Sequence, residues 1–155
     1  MTSPPRYPLG ALLGRVQARY VAECEARLAA AGYSDLRIAH GANILRHLSP
    51  DRPVRIAVIA RLSGVSKQAI SQQIAHLAAR DYLIVGPDDS DGRAKSVVLT
   101  ARGARSQRAV RRIFADVEAE WRALHGAERL EALRAALESI TDAPDSPSGT
   151  SAVDG

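Results

Sequence analysis

From Leu9 onward apolar residues return at three- and four-residue steps, at Leu9, Leu13, Val16, Tyr20, Cys24 and Leu28, and the pattern stops at Gly32. That period gathers side chains on one face of an α-helix, so a long amphipathic helix is predicted over 9–32. A second helix is expected from Ser34, whose hydroxyl can cap it, to about Leu48, where Ser49-Pro50-Asp51-Arg52-Pro53 ends it. Val54 to Ile56 reads as a short strand. Between Ile56 and Leu77 the pattern gives two short helices joined at Gly64. Ala60 is small enough for a steep helix crossing, Gly64 can take the positive φ of a tight turn, Ser66 can cap the second helix, and Ile70 anchors it in the core.

Two β runs follow, Tyr82-Leu-Ile-Val and Ser96-Val-Val-Leu, on either side of the polar tip Asp88-Asp-Ser-Asp-Gly-Arg93. From Arg102 a long helix carries Val110, Ile113, Phe114, Val117, Trp121 and Leu124 on one stripe. After Gly126 a last helix repeats Leu130, Leu133, Leu137 and Ile140. The fold class is therefore mainly α with a small β wing. A winged helix-turn-helix over about 34–100 lies between helices at 9–32 and 102–140, all in one domain, 9–140. The apolar stripes of the two flanking segments are more than one small chain can cover, and they predict dimerisation. Met1 to Pro8, with three prolines, is expected to be loose, and Thr141 to Gly155, rich in Pro, Ser, Gly and Asp, to be disordered.

A second helix of the motif running from Ser66 to Arg80 turns Ile70, Ile74 and Leu77 inward at about 100° per residue. Gln68 and Gln72 then face outward with Ala75 and Ala79, Ser71 lies on one flank, and Lys67 sits near the N-terminal end. Such a face is polar in its first half and small in its second, which suits the major groove of duplex DNA. Gln can bond adenine bidentately, Ser can bond either way, and Lys67 can reach a guanine or a phosphate. A merely solvated helix face is the alternative. The tip adds independent support, because Arg93 is placed to enter a minor groove, where negative potential attracts a guanidinium. Asp91, two residues earlier, is expected to orient Arg93 through a charge-assisted bond.

The charge is uneven. The whole chain of 155 residues carries a net +4, yet from Arg52 to Arg112 twelve Lys/Arg face four acids, a local excess of eight positive charges. That is the footprint of a polyanion-binding surface. One cysteine excludes an internal disulfide and suits a reducing compartment. Neither a targeting signal nor an apolar run long enough for a membrane span is found, so a cytoplasmic protein is expected.

Taken together, Asp35-Leu-Arg-Ile-Ala-His40, Gly64-Val-Ser-Lys-Gln-Ala69, Pro87-Asp-Asp-Ser-Asp-Gly-Arg-Ala-Lys95 and Leu99-Thr-Ala-Arg-Gly103 resemble the MarR family of transcriptional regulators. The resemblance runs from about Ser34 to Gly103. It implies a homodimer with interlocked terminal helices that reads a palindromic operator, often as a repressor released by a small ligand. In that scheme Ser66, Lys67, Gln68, Ser71 and Gln72 contact DNA from the second motif helix, and Arg93 and Lys95 contact it from the wing. Two departures stand out. Ser90 occupies a position where the family's wing commonly has a further arginine, and the first motif helix starts near Ala57 without a Ser, Thr or Asp cap.

His40, Asn43 and His47 share a side of the second helix, near where the family's ligand pocket lies, and are candidates for an effector or interface role. Two aligned histidines with no Cys or acid at ligand spacing do not make a zinc site, so no metal is expected. Cys24 lies on an apolar stripe between acidic neighbours, which raises a thiol pKa and points to packing rather than redox work. No catalytic residue or cofactor is expected, because the chain lacks a Gly-rich phosphate loop, a nucleophile elbow or a metal cluster. A winged-helix module that binds only protein partners is the alternative function.

Overall fold

The computed structural model describes Tyr7–Asp142. The expectations of a loose start and a disordered tail fall for the most part on 1–6 and 143–155, outside the described residues. Helix α1 (Leu9–Ala30) is followed by a short α2 (Ile38–Asn43), a 3-10 turn (Leu45–His47), strand β1 (Val54–Arg55), α3 (Ile56–Ser63), α4 (Lys67–Ala78), β2 (Leu83–Pro87), β3 (Lys95–Leu99), α5 (Ala101–His125) and α6 (Ala127–Thr141). The chain divides into two compact units, Met1–Val117 and Glu118–Gly155. Among the described residues no helix is long and apolar enough to cross a membrane.

In the first unit the strands form an antiparallel sheet in the order β1-β3-β2, with Leu83 opposite Leu99, Val85 opposite Val97 and Val54 also opposite Val97. Its inward side chains join the core made by Leu28, Ile44, Leu45, Ile59, Ile70 and Leu77, all at most 1% exposed. The helix pair forms as its residues require. Gly64 ends α3 at φ 66°, a conformation that a side chain would disfavour. Ser66 caps α4 by accepting the Ala69 N–H at 3.2 Å. No side chain caps α3, whose N-cap residue is Arg55.

The second helix departs from expectation. It begins at Ile38 rather than at Ser34, and it breaks at Ile44, where φ is −124° and ψ −64°. Both differences have tertiary causes. The residues before Ile38 are held by longer-range bonds: Asp35 accepts the Tyr82 hydroxyl at 2.6 Å and an Arg102 N–H at 3.2 Å, and Leu36 is buried. Beyond the break, the Gln107 amide on α5 donates to the carbonyls of Leu45 at 2.5 Å and Leu48 at 2.7 Å. Carbonyls that a continuing helix would have bonded internally are satisfied from another element.

The start of α5 is locked in the same way. Thr100 accepts the Gly103 N–H at 2.9 Å while its hydroxyl donates to the Asp81 carbonyl at 2.6 Å. Gly103 packs so tightly on Tyr82, just before β2, that a Cβ there would collide with the Tyr82 carbonyl oxygen. Asp81 completes the junction at φ 60°, a left-handed turn that Asp tolerates better than most residues.

Cys24 is buried and unpaired, and burial pushes its thiol pKa upward. In the second unit α6 buries none of its residues, and Leu133, Leu137 and Ile140 are exposed. Ion pairs between Arg134 and Glu118 (2.8 Å) and between Arg122 and Glu131 (3.3 Å) tie this unit together.

His40 is buried, and its ring lies 4.8 Å from that of His76 on α4. Its Nδ1 accepts the Arg37 N–H at 3.1 Å. Burial first, then the nearby His76, Arg37 and Arg80, lower its pKa from 6.5 to about 4 against the opposing pull of Glu25. The fold thus disfavours the imidazolium, and the unfolded chain binds the proton more readily. Stability should be intact above pH 6.5 and decline as pH falls toward 4. Replacing His40→Asn, whose side-chain oxygen can still accept the Arg37 N–H, should flatten that part of a melting-temperature profile. Gly103→Ala should lower stability by about 1–3 kcal/mol or more, as overpacking against fixed backbone does, which urea denaturation will measure.

Candidate nucleic-acid interface

Helix α4 presents two chemically distinct faces. Ile70, Ile74 and Leu77 are at most 2% exposed, while Lys67, Gln68, Ser71 and Gln72 all point to solvent with Ser66 and Ala75. The apolar stripe fixes the rotation of the helix, so the polar residues face outward without having to contribute to the core. Among the described residues no acid occupies the first turn of α4, and the N-terminal dipole there favours an anion.

The helix is also held from behind by polar contacts. Asn43 donates to the Gln73 side chain at 3.3 Å, and His76 Nε2 donates to the Asp35 carbonyl at 3.0 Å. Asp35 in turn binds Tyr82 and Arg102, whose guanidinium carbon sits 4.4 Å from the Tyr82 ring centroid. Burial and the Asp35 bond raise the Tyr82 pKa to about 12, so its hydroxyl stays a donor. Burial is the largest single influence on the Asp35 carboxyl and pushes its pKa up, but the Tyr82 bond, a backbone bond and Arg102 together hold it below its ordinary range.

The wing tip is built around Asp88. Its Oδ1 accepts the backbone N–H of Ser90 at 3.0 Å and of Asp91 at 3.1 Å, together with the Ser90 hydroxyl at 2.6 Å. Arg55, on β1, donates Nε to Oδ2 and Nη2 to Oδ1, both at 2.9 Å, and Nη2 also reaches Ser90 Oγ at 2.7 Å. Chiefly the Arg55 bonds, then Ser90, hold the Asp88 carboxyl far below the usual carboxylate range. Arg93 and Lys95 are exposed. Among the described residues no carboxylate pairs with them or with Lys67, whereas Arg55 and Arg102 are both engaged. The local basic excess therefore separates into structural arginines and available cations.

Two groups of the expected site residues are placed differently from their spacing in sequence. Asp91 does not orient the Arg93 side chain; its Oδ1 accepts the Arg93 backbone N–H at 3.1 Å. Across a turn of two residues the backbone donor lies nearer than the guanidinium, which is why Asp so often bonds this way. His40, Asn43 and His47 do not converge either, since the helix that would have aligned them breaks at Ile44. His40 packs on His76, Asn43 on Gln73, and His47 accepts a 3.1 Å bond from Arg46. A cavity of about 220 Å³ opens on another side of α2, lined by Gly41, Ala42, Leu45, Arg46, Gln107, Val110, Arg111 and Phe114. None of the three candidates lines it. Among the described residues no group of three or more His, Cys, Asp or Glu side chains gathers to hold a metal.

Arg55, Gln73, His76, Asp88 and Tyr82 were not singled out by sequence. Arg55 and Asp88 lie 33 residues apart, and no spacing rule joins them. Asp35 and Arg102 did sit in separate family-like motifs, and the structure shows why both matter: they bond to each other.

A model described as the MarR family matches residues 42–94. Among solved structures the chain is similar to the transcriptional repressor CouR bound to a 23-mer DNA duplex, with a TM-score of 0.74, 22% identity, and coverage of 86% of this chain and 92% of that one. It is similar to the PcaV regulator of Streptomyces coelicolor with its natural ligand (TM-score 0.74, 18% identity, coverage 92% and 99%). The MepR–DNA complex of S. aureus also matches (TM-score 0.73, 18% identity, coverage 88% and 98%). No curated protein matches the chain significantly in sequence. The match to the MarR family model spans α3, α4 and most of the wing, and the chain has the fold of these solved structures.

Proposed function

We propose that this chain is a homodimeric transcriptional repressor that reads a palindromic operator in double-stranded DNA and is released by a small molecule. The carrying observation is the exposed polar face of α4, Lys67 to Gln72, together with a wing whose Arg93 and Lys95 have no carboxylate partner among the described residues. A helix of this kind fits the major groove, and unpaired cations supply the sequence-independent attraction to phosphate. CouR and MepR were each captured with DNA, and PcaV with a ligand.

Dimerisation is supported by exposed apolar side chains at both ends of the chain. Leu9, Leu12, Leu13 and Val16 on α1 are 38–65% exposed, and Leu133, Leu137 and Ile140 on α6 are 37–62% exposed. A two-fold protein would place its α4 helices on half-sites about one helical turn apart. The cavity beside α2, apolar in lining but with Arg46 and Arg111 at hand, is the seat this reading gives the effector. On this reading the protein is cytoplasmic, needs no cofactor and catalyses no reaction.

The reading is tested by selecting bound fragments from genomic DNA and following them in gel shifts across a salt series. A palindromic consensus and binding that weakens steeply with salt are expected. Failure to bind any duplex at low salt would sink the proposal in favour of a module that binds only proteins. On the selected duplex, Gln72→Ala should relax base preference at one position and cost about 1–3 kcal/mol. Arg93→Ala should instead weaken binding to most sequences and lessen its salt dependence.

A further inference from the structure

The wing tip is acidic for a surface that meets a polyanion, with Asp88, Asp89 and Asp91 in four residues. The Asp88 charge is met by one side chain from outside the hairpin. Arg55 engages both carboxylate oxygens at 2.9 Å in a two-pronged pair and adds a 2.7 Å bond to Ser90. Arg55 is also the residue from which α3 starts, and it pairs with Ser96 on β3. One guanidinium therefore joins the entry of the helix-turn-helix to the tip of the wing.

We infer that Arg55 and Asp88 are positioning residues for DNA recognition, fixing the pose in which the wing presents Arg93 and Lys95. This rests on the proposed function. Asp88 organises the tip by accepting the Ser90 and Asp91 N–H groups, and Asp91 then holds the Arg93 N–H. The backbone from Asp88 to Arg93 is thus set by a chain of bonds that ends on Arg55. A tip fixed before binding loses less conformational freedom when it meets a groove. The Asp88 side chain is only 14% exposed, so little of its charge faces an approaching phosphate, while Arg55 keeps 42% of its side chain in solvent. Ser90 Oγ accepts from Arg55 Nη2, so a guanidinium on β1 stands at the tip.

Positioning and simple electrostatics predict opposite results for Asp88→Asn. Removing a negative charge beside DNA should tighten binding to any duplex if charge alone matters. If Asp88 sets the wing's pose, binding to the duplex selected by the wild-type protein should weaken by roughly tenfold, and its ratio to binding of a shuffled duplex should fall. Arg55→Lys keeps the charge but loses the fork, and the same drop in ratio is expected. Melting temperatures of both variants control for folding, and hydroxyl-radical footprints should lose protection at the wing-flanked edges of the site while the central protection by α4 persists. Tighter or unchanged binding by Asp88→Asn, or an unchanged ratio for Arg55→Lys, would overturn the inference and leave the proposed function standing. A wild-type protein that selects no duplex would overturn both.

Discussion

Tyr82 is fully buried, yet its hydroxyl donates to Asp35, its ring lies under Arg102, and its carbonyl receives Thr100 while Gly103 packs against it. A buried phenol without partners would be costly, so this junction must be complete for the fold to form. Its bonds reach the α1–α2 connection, the end of α4, both ends of the β2–β3 hairpin and the start of α5. The outward face of α4 and the wing are aimed by the same set of contacts. Asp35 is the common member, because its carboxylate holds Tyr82 and Arg102 while its carbonyl accepts His76 from the reading helix.

The electrostatics follow from that division of labour. Arg102 and Arg55 are engaged by Asp35 and Asp88, Arg102 through Nη2 alone and Arg55 through a two-pronged pair of the kind that suits a carboxylate. Lys67, Arg93 and Lys95 have no such partner among the described residues and are the charges available to a nucleic acid. A count of basic residues cannot make this distinction. It depends on which acids the fold brings within reach, and the wing shows the effect at short range, where a carboxylate close to Arg93 bonds backbone and one distant in sequence binds Arg55.

Helix α2 illustrates a different kind of economy. One side of it carries His40 and Asn43 against α4, and another carries Gly41 and Ala42 along the cavity. Gln107 holds the turn after it, lines the same cavity and lies on α5. Of the three residues that the sequence offered for an effector or interface role, His40 and Asn43 contact the reading helix and His47 does not.

The sequence by itself determined what local periodicity and turn chemistry can determine. The apolar steps of α1 and α5, the Gly64 turn, the Ser66 cap, the inward Ile70, Ile74 and Leu77, and the paired runs of the wing were all legible, because each depends on residues within a few positions of one another. The tertiary structure alone decided where α2 starts and stops, which arginines remain free, and why Gly103 has no side chain. Those outcomes depend on partners such as Gln107 and Leu45, Arg102 and Asp35, or Arg55 and Asp88, which lie 62, 67 and 33 residues apart. A buried carbonyl or carboxylate takes whichever donor the packed chain brings to it, and linear spacing carries no record of that choice.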